Sequence, residues 1–402
     1  MSARMPIFVL VFLNVLAGTL VIPVIRPLMV TVGVSEHMMH AFIGANMLGA
    51  VLGAPFFALL SDRTGVRRRL AAGLSWVDAA LLLGCVTPLP LPALLGARAL
   101  QGAASVGALS IIMGQVGRTA VHTNGRGRDA GLAGSAVVAA IAAGPALGGL
   151  LVRGFGLYAP FQAAACCALL AGIGCAWLMP STGGQRAPRA GLHEVRRAAP
   201  LLWVPTLWIT AERFSVGCFV VTFSLFAHNV LGSSDARVGA LLSCFMLPFA
   251  CAMWPIGKLA DKVGRPAVLA AGGVIYGLSF VLLGHTSADS VPVVLMLAGI
   301  ASAAIYTPAL GLTASLSPTV LRSTAMGFGN AGGTLGMLLG TIVAGTLTAV
   351  LRQRGMAPSE MYAWIFRVGG LAPLVVLLVT ASALGRLARS ESSVEPALGG
   401  TA

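Results

Sequence analysis

Of the twelve acidic residues in this chain, only Asp78 and Glu212 fall deep inside long apolar stretches. An ionised side chain at the centre of a bilayer costs about 3 kcal/mol on insertion scales, so residues of this kind mark chemistry. A carboxyl held there can carry a proton, because burial raises such a pKa while exposure or a nearby arginine lowers it. Four arginines accompany the two acids: Arg26, Arg98, Arg213 and Arg367. Arg26 and Arg367 lie close enough to the ends of their stretches to snorkel to the interface. Arg98 and Arg213 do not, and their positions suit an anion or an acidic partner. Asp78 and Arg98 can equally form a structural strut. Glu212 and Arg213 are adjacent and project about 100° apart on a helix, so they need not bind each other.

Further along the stretch that holds Glu212, Phe219, Phe223 and Phe226 recur at i, i+4 and i+7 and form one aromatic stripe. With Phe42, Asn46, Met113, Gln115, Met246, Phe249, Trp254 and Tyr306 they can build an apolar pocket carrying a few polar handles, the usual make-up of a small-molecule site. Helix packing or lipid contact accounts for more than half of these residues. His228 is expected at a membrane edge.

The elements that position these groups follow from composition. The 402-residue chain is 57% hydrophobic and 9% charged, with a mean hydropathy of +0.90. Soluble domains carry about 25% charged residues, so a water-soluble fold is excluded. Stretches of about 20 apolar residues, each long enough to cross a bilayer, recur throughout. They fall near 5–27, 40–60, 70–89, 92–116, 129–152, 157–179, 203–228, 237–257, 267–285, 291–315, 323–350 and 361–386. The first is too long for a cleaved leader and lacks a small-residue cleavage site. The polar segment 181–200 is the longest gap; its glycines and prolines read as a flexible linker, and His193 to Arg197 as a short surface helix. The domains expected are thus a six-helix bundle over 1–180, the linker 181–200, and a second bundle over 201–402.

A charged motif occurs once in each half. The first copy reads Ala58-Leu59-Leu60-Ser61-Asp62-Arg63-Thr64-Gly65-Val66-Arg67, and the second Gly257-Lys258-Leu259-Ala260-Asp261-Lys262-Val263-Gly264-Arg265-Pro266. They stand close to half a chain length apart, each between two apolar stretches. Arg128 and Arg322 open another corresponding pair of stretches. Such internal symmetry in a membrane chain points to transport. The net charge of +14 follows the topology. With the N-terminus on the cytoplasmic side, tails and loops on that side hold eighteen basic residues, against four opposite. That bias places both termini in the cytoplasm and the basic charge beside anionic lipid. No basic soluble module exists to bind nucleic acid.

Other chemistries lack their residues. No phosphate-binding loop, paired histidine ligands or nucleophile elbow occurs, so the sequence does not read as an enzyme and calls for no cofactor or metal. The cysteines (Cys85, Cys166, Cys167, Cys175, Cys218, Cys244, Cys251) show no metal-ligand spacing and read as small hydrophobes.

Twelve stretches, two halves and a repeated loop motif resemble the major facilitator superfamily over essentially the whole chain. Arg98-Ala99-Leu100-Gln101-Gly102 is similar to its Arg-x-x-Gln-Gly signature in the fourth span. Gly131 and Gly144-Pro145-Ala146-Leu147-Gly148-Gly149 resemble the fifth-span signature of its antiporting exporters. Ala58 and Ala140 stand where those patterns carry Gly, and Val66 where the first loop carries a basic residue.

The resemblance implies an all-α membrane protein with twelve transmembrane helices in two pseudo-symmetric six-helix bundles, working as a monomer by alternating access about a central site. It implies that the span bearing Glu212 lines that site, which makes Glu212 the first candidate for proton coupling and Asp78 the second. Substrate contacts are then expected from Arg98, Arg213, Gln101, Asn46, Phe219, Phe223, Phe226, Met246, Tyr306 and Asn330. An aspartate at the membrane edge can accept hydrogen bonds from a helix N-terminus and pair with arginine. Asp62, with Arg63, Gly65 and Arg67, is therefore expected to latch onto the start of span 11. Gly257, Asp261, Lys262, Gly264 and Arg265 are expected to do the same at span 5. Gly144, Pro145, Gly148 and Gly149 permit a close, kinked helix crossing at a seam, as the glycines from Gly327 to Gly340 do in span 11. The function expected is proton-coupled export of a small organic molecule from a bacterial-type inner membrane. Export of an anionic metabolite such as a carboxylate siderophore, uptake by proton symport, and a non-transporting receptor are the alternatives.

Overall fold

The computed structural model describes residues 5–21, 36–87, 89–119, 126–179, 192–233 and 235–394. Arg26 and most of the linker lie outside them, as do the side chains at 117–131, including Gly131. Twelve α-helices occupy the described residues. They are α1 (Met5–Leu20), α2 (Glu36–Thr64), α3 (Arg67–Gly84), α4 (Leu91–Thr119), α5 (Arg126–Phe155), α6 (Ala159–Leu178), α7 (Leu192–Asn229), α8 (Asp235–Val263), α9 (Arg265–Leu283), α10 (Val291–Leu316), α11 (Arg322–Gln353) and α12 (Pro358–Val394). A short 3-10 turn, Thr319–Leu321, leads into α11.

Each helix matches one apolar stretch of the sequence. Ten are long and apolar enough to cross a membrane, and Pro6–Leu20 is a shorter apolar helix. The exception is α3, which opens with Arg67-Arg68-Arg69 and so begins in the polar loop rather than past it. The expected short surface helix at His193 to Arg197 is not a separate element. It is the first part of α7, which runs unbroken for 38 residues.

The chain packs as two compact units. The first contains residues 1–122, 136–202 and 314–331, the second 123–135, 203–313 and 332–402. In the first unit α2 packs along α4, α3 along α6, and α1 against both α4 and α6. The α2–α4 crossing is made close by glycine. A Cβ on Gly49 would collide with the Ala99 carbonyl, one on Gly53 with Ala103, and one on Gly102 with the Asn46 carbonyl. In lipid, where burial of apolar surface gives helices little reason to associate, such close backbone contact supplies the packing energy. Leu16, Phe42, Ala79, Leu82, Leu94 and Phe161 form part of the core beside it.

The second unit is built on aromatic rings. Phe219 stacks on Phe223 at 4.8 Å and meets Phe245 and Phe280 at 5.5 and 5.7 Å. Phe226 meets Phe366 edge-on at 5.5 Å. α7 also lies tightly on α11, where Gly336 faces the Thr210 carbonyl and Gly340 the Phe214 carbonyl.

Candidate functional site

The two loop motifs fold alike. In each, a helix ends just after the aspartate and a glycine with positive φ, Gly65 at 73° and Gly264 at 100°, turns the chain into the next helix. The glycine amide closes the turn on the carbonyl four residues back, Ser61 in one copy and Ala260 in the other. An L side chain is disfavoured in that backbone region, which is why the motif needs Gly there. Arg67 Nε donates to Asp62 Oδ1 at 3.3 Å, and Arg265 Nη2 to Asp261 Oδ1 at 2.8 Å.

Asp62 is fully buried, and its second oxygen caps a distant helix. Oδ2 accepts the Thr324 backbone N–H at 2.7 Å and the Thr324 hydroxyl at 3.0 Å. Thr324 is in the first turn of α11, where backbone N–H groups have no partner within the helix. The start of α11 lies so close to its neighbours that a Cβ on Gly327 would strike Ala54 and Ala58, and one on Gly114 would strike Ser323. Ala58 is therefore accommodated by a glycine opposite. Arg63 is half-buried, Lys262 exposed and Gly257 buried. The start of α5, the expected counterpart of Asp261, has no described side chains.

Asp78 and Arg98 do not pair directly. Gln101 stands between them. Its Nε2 donates to Asp78 Oδ1 at 2.5 Å, while its Oε1 accepts from Arg98 Nη1 and Asn46 Nδ2, both at 2.6 Å. Asp78, Arg98 and Gln101 are buried, Ser105 lies beside the carboxyl, and the guanidinium sits 4.8 Å above the Phe42 ring. The strut expected between α3 and α4 thus exists in a longer form and extends to α2. Gln101 Oε1 already serves two donors, so its acceptor capacity is spent within the protein.

The second acid has a different arrangement. Glu212 is fully buried, and Oε1 accepts the Ser302 hydroxyl of α10 at 2.7 Å. Although adjacent in sequence, Glu212 and Arg213 do meet: Arg213 Nε is 3.2 Å from Glu212 Oε2. The guanidinium lies 4.7 Å over the Tyr306 ring, which Phe249 meets edge-on. Its side chain keeps 16% of its surface exposed where the glutamate keeps none. Nothing in the sequence singled out Ser302; a serine 90 residues away gives no local signal.

The major facilitator superfamily model matches residues 7–227 and again 207–400. The chain belongs to that superfamily. It is a multi-pass membrane protein of a transporter family. It is 27% identical over 143 residues to an uncharacterized MFS-type transporter of Methanocaldococcus jannaschii, covering 35% of this chain and 37% of that one. It is 26% identical over 245 residues to human solute carrier family 67 member A1, covering 56% and 57%. The matches therefore span less than two thirds of these relatives. Among solved structures, the human organic anion transporter MFSD10 (TETRAN) superposes with a TM-score of 0.74 at 17% identity, over 92% of this chain and 98% of that one. The proton:xylose symporter XylE does so with 0.74 at 13%, over 95% of each.

The remaining superfamily-derived expectations fall in varied places. Phe219, Phe223 and Phe226 present almost no surface and fill the core of their unit. Met246 is half-buried and Tyr306 nearly buried. Asn330 Nδ2 donates to Ser110 Oγ of α4 at 2.9 Å. In the fifth-span signature, Gly144 faces Thr19 of α1, whose hydroxyl donates to the Ala140 carbonyl at 3.0 Å. Pro145 lies within unbroken helix, Gly148 is buried, and Gly149 has open space beside it. Arg367 Nη2 lies 2.9 Å from His285 Nε2, and His228 is exposed at the end of α7.

Proposed function

We propose that this transporter is proton-coupled, with Glu212 as the proton-carrying group and export of a small organic molecule as its activity. The observation that carries this reading is the burial of Glu212. A carboxyl with no exposed surface, one hydroxyl donor and one guanidinium neighbour stands in the middle of a membrane helix. A change in its surroundings converts directly into a change in its proton occupancy. Asp78, held by Gln101, is the second candidate and serves as the strut joining α2, α3 and α4.

In this account the halves 1–180 and 201–402 move as bodies in alternating access, as a monomer in a bacterial-type inner membrane with both termini cytoplasmic. The Asp62 cap on α11 is a latch that holds while the cytoplasmic side is closed and parts when it opens. Arg67 keeps the aspartate aimed. Gly144 gives α5 its close approach to Thr19 of α1.

A second reading, anionic cargo, is favoured by the guanidiniums of Arg98 and Arg213 within the membrane helices. The likeness to an organic anion transporter points the same way. Everted membrane vesicles test direction and driving force together. Accumulation of a solute from a screened panel under an imposed proton gradient, lost in Glu212→Gln, supports export. Accumulation that survives the substitution removes Glu212 from the mechanism.

A further inference from the structure

Glu212 and Arg213 share one ion pair, yet differ in access. The glutamate is sealed, with its other oxygen on Ser302, whereas the arginine retains exposed surface and lies over the Tyr306 ring. A charged solute can therefore engage the pair only through the guanidinium. The Nε contact at 3.2 Å lacks the alignment of a hydrogen bond, since Glu212 Oε2 has no hydrogen-bond partner. The attraction is one of charge without a directed bond, so a better-placed anion can compete for it. The titratable groups facing the pair are Tyr276 from α9 and Tyr306 from α10, with Cys218 further along α7. None of these supplies a positive charge to replace Arg213.

We infer that Arg213 recognises an anionic cargo group, a carboxylate or sulfonate, and that this anion and a proton on Glu212 bind together. The inference rests on Glu212 as proton carrier and adds the sign of the coupling. An anion on Arg213 withdraws the counter-charge of Glu212, and the carboxylate then takes a proton from solution, forming an O–H bond with nothing else displaced. Linkage makes the effect reciprocal: a protonated Glu212 frees Arg213 for the anion. A monoanion and its proton then move as a neutral pair in the same direction. An inward proton gradient therefore drives anions inward, and antiport export is reserved for cargo that leaves Arg213 unengaged.

Purified wild-type protein in weakly buffered detergent, mixed with benzenesulfonate, tests this. The sulfonate keeps its charge at every working pH, so proton changes belong to the protein. Saturable binding with uptake approaching about one proton per anion is expected, with affinity rising up to about tenfold per unit fall in pH. Glu212→Gln keeps the Ser302 contact and should bind with the wild type's low-pH affinity at every pH, without proton uptake. Arg213→Gln in that background, which avoids leaving a buried carboxylate unpaired, should abolish binding, and Arg213→Lys should retain part of it. Absence of saturable binding, proton release on binding, or undiminished binding in the double variant overturns the inference while leaving Glu212 as proton carrier. Proton uptake persisting in Glu212→Gln overturns both.

Discussion

Asp62 and Thr324 are 262 residues apart in sequence, and the Thr324 backbone N–H donates to Asp62 Oδ2 at 2.7 Å. One carboxylate thereby caps α11 through its backbone while Arg67 holds its other oxygen. A hydrogen bond to a charged acceptor contributes about 1.5–3 kcal/mol, enough to bias a conformational equilibrium by more than tenfold. Asp62→Asn should therefore lower transport turnover about tenfold in vesicles while the protein still folds. Thr324→Ala, which removes only the hydroxyl bond, should be milder. Wild-type turnover in Asp62→Asn, or a larger loss in Thr324→Ala, would contradict the latch.

The two turns give a paired test of stability. Gly65→Ala and Gly264→Ala each force a Cβ into the left-handed region and should destabilise by about 1–2 kcal/mol. Gly149→Ala, with open space and helical backbone, should leave the thermal midpoint in detergent unchanged.

Helix approach in the first unit is equally testable. Gly102→Ala meets the Asn46 backbone, which has no flexible end to move aside, and should cost about 1–3 kcal/mol. Gly96→Ala on the same helix meets nothing and should be neutral by the same thermal measurement.

Gln101 joins three polar side chains, so its loss should exceed that of a single hydrogen bond. Gln101→Leu leaves Asp78 and Arg98 buried with neither linked to the other, a loss of about 3–5 kcal/mol for a broken buried charge network. Gln101→Glu keeps the acceptor for Arg98 and Asn46 but sets a second acid beside Asp78, so its yield of folded protein should rise on acidification. Size-exclusion profiles across pH read both.

Much of this was legible in the chain because it repeats. The paired motifs located both turns, and placing an acid at a membrane edge led directly from Asp62 to the start of α11. Apolar length alone located the helices but not their polar ends: α3 opens with Arg67-Arg68-Arg69, and α7 begins in the linker at Leu192. Residues that depend on tertiary neighbours were not legible. The period of Phe219, Phe223 and Phe226 fits a cavity wall and a packed core equally, and only the rings of Phe245, Phe280 and Phe366 around them decide for packing. Gln101 read as a substrate contact from its signature, yet its oxygen is occupied by Arg98 and Asn46. Adjacent side chains diverge on an ideal helix, but the long Arg213 side chain folds back to Glu212, a freedom that helical spacing does not capture.

Proton exchange at Glu212 is most directly measured by infrared difference spectroscopy of the protein in lipid, stepped between acidic and alkaline pH. The carbonyl stretch of a protonated carboxylic acid should titrate in the wild type, persist in Asp78→Asn and vanish in Glu212→Gln. A band unchanged in Glu212→Gln would contradict the account.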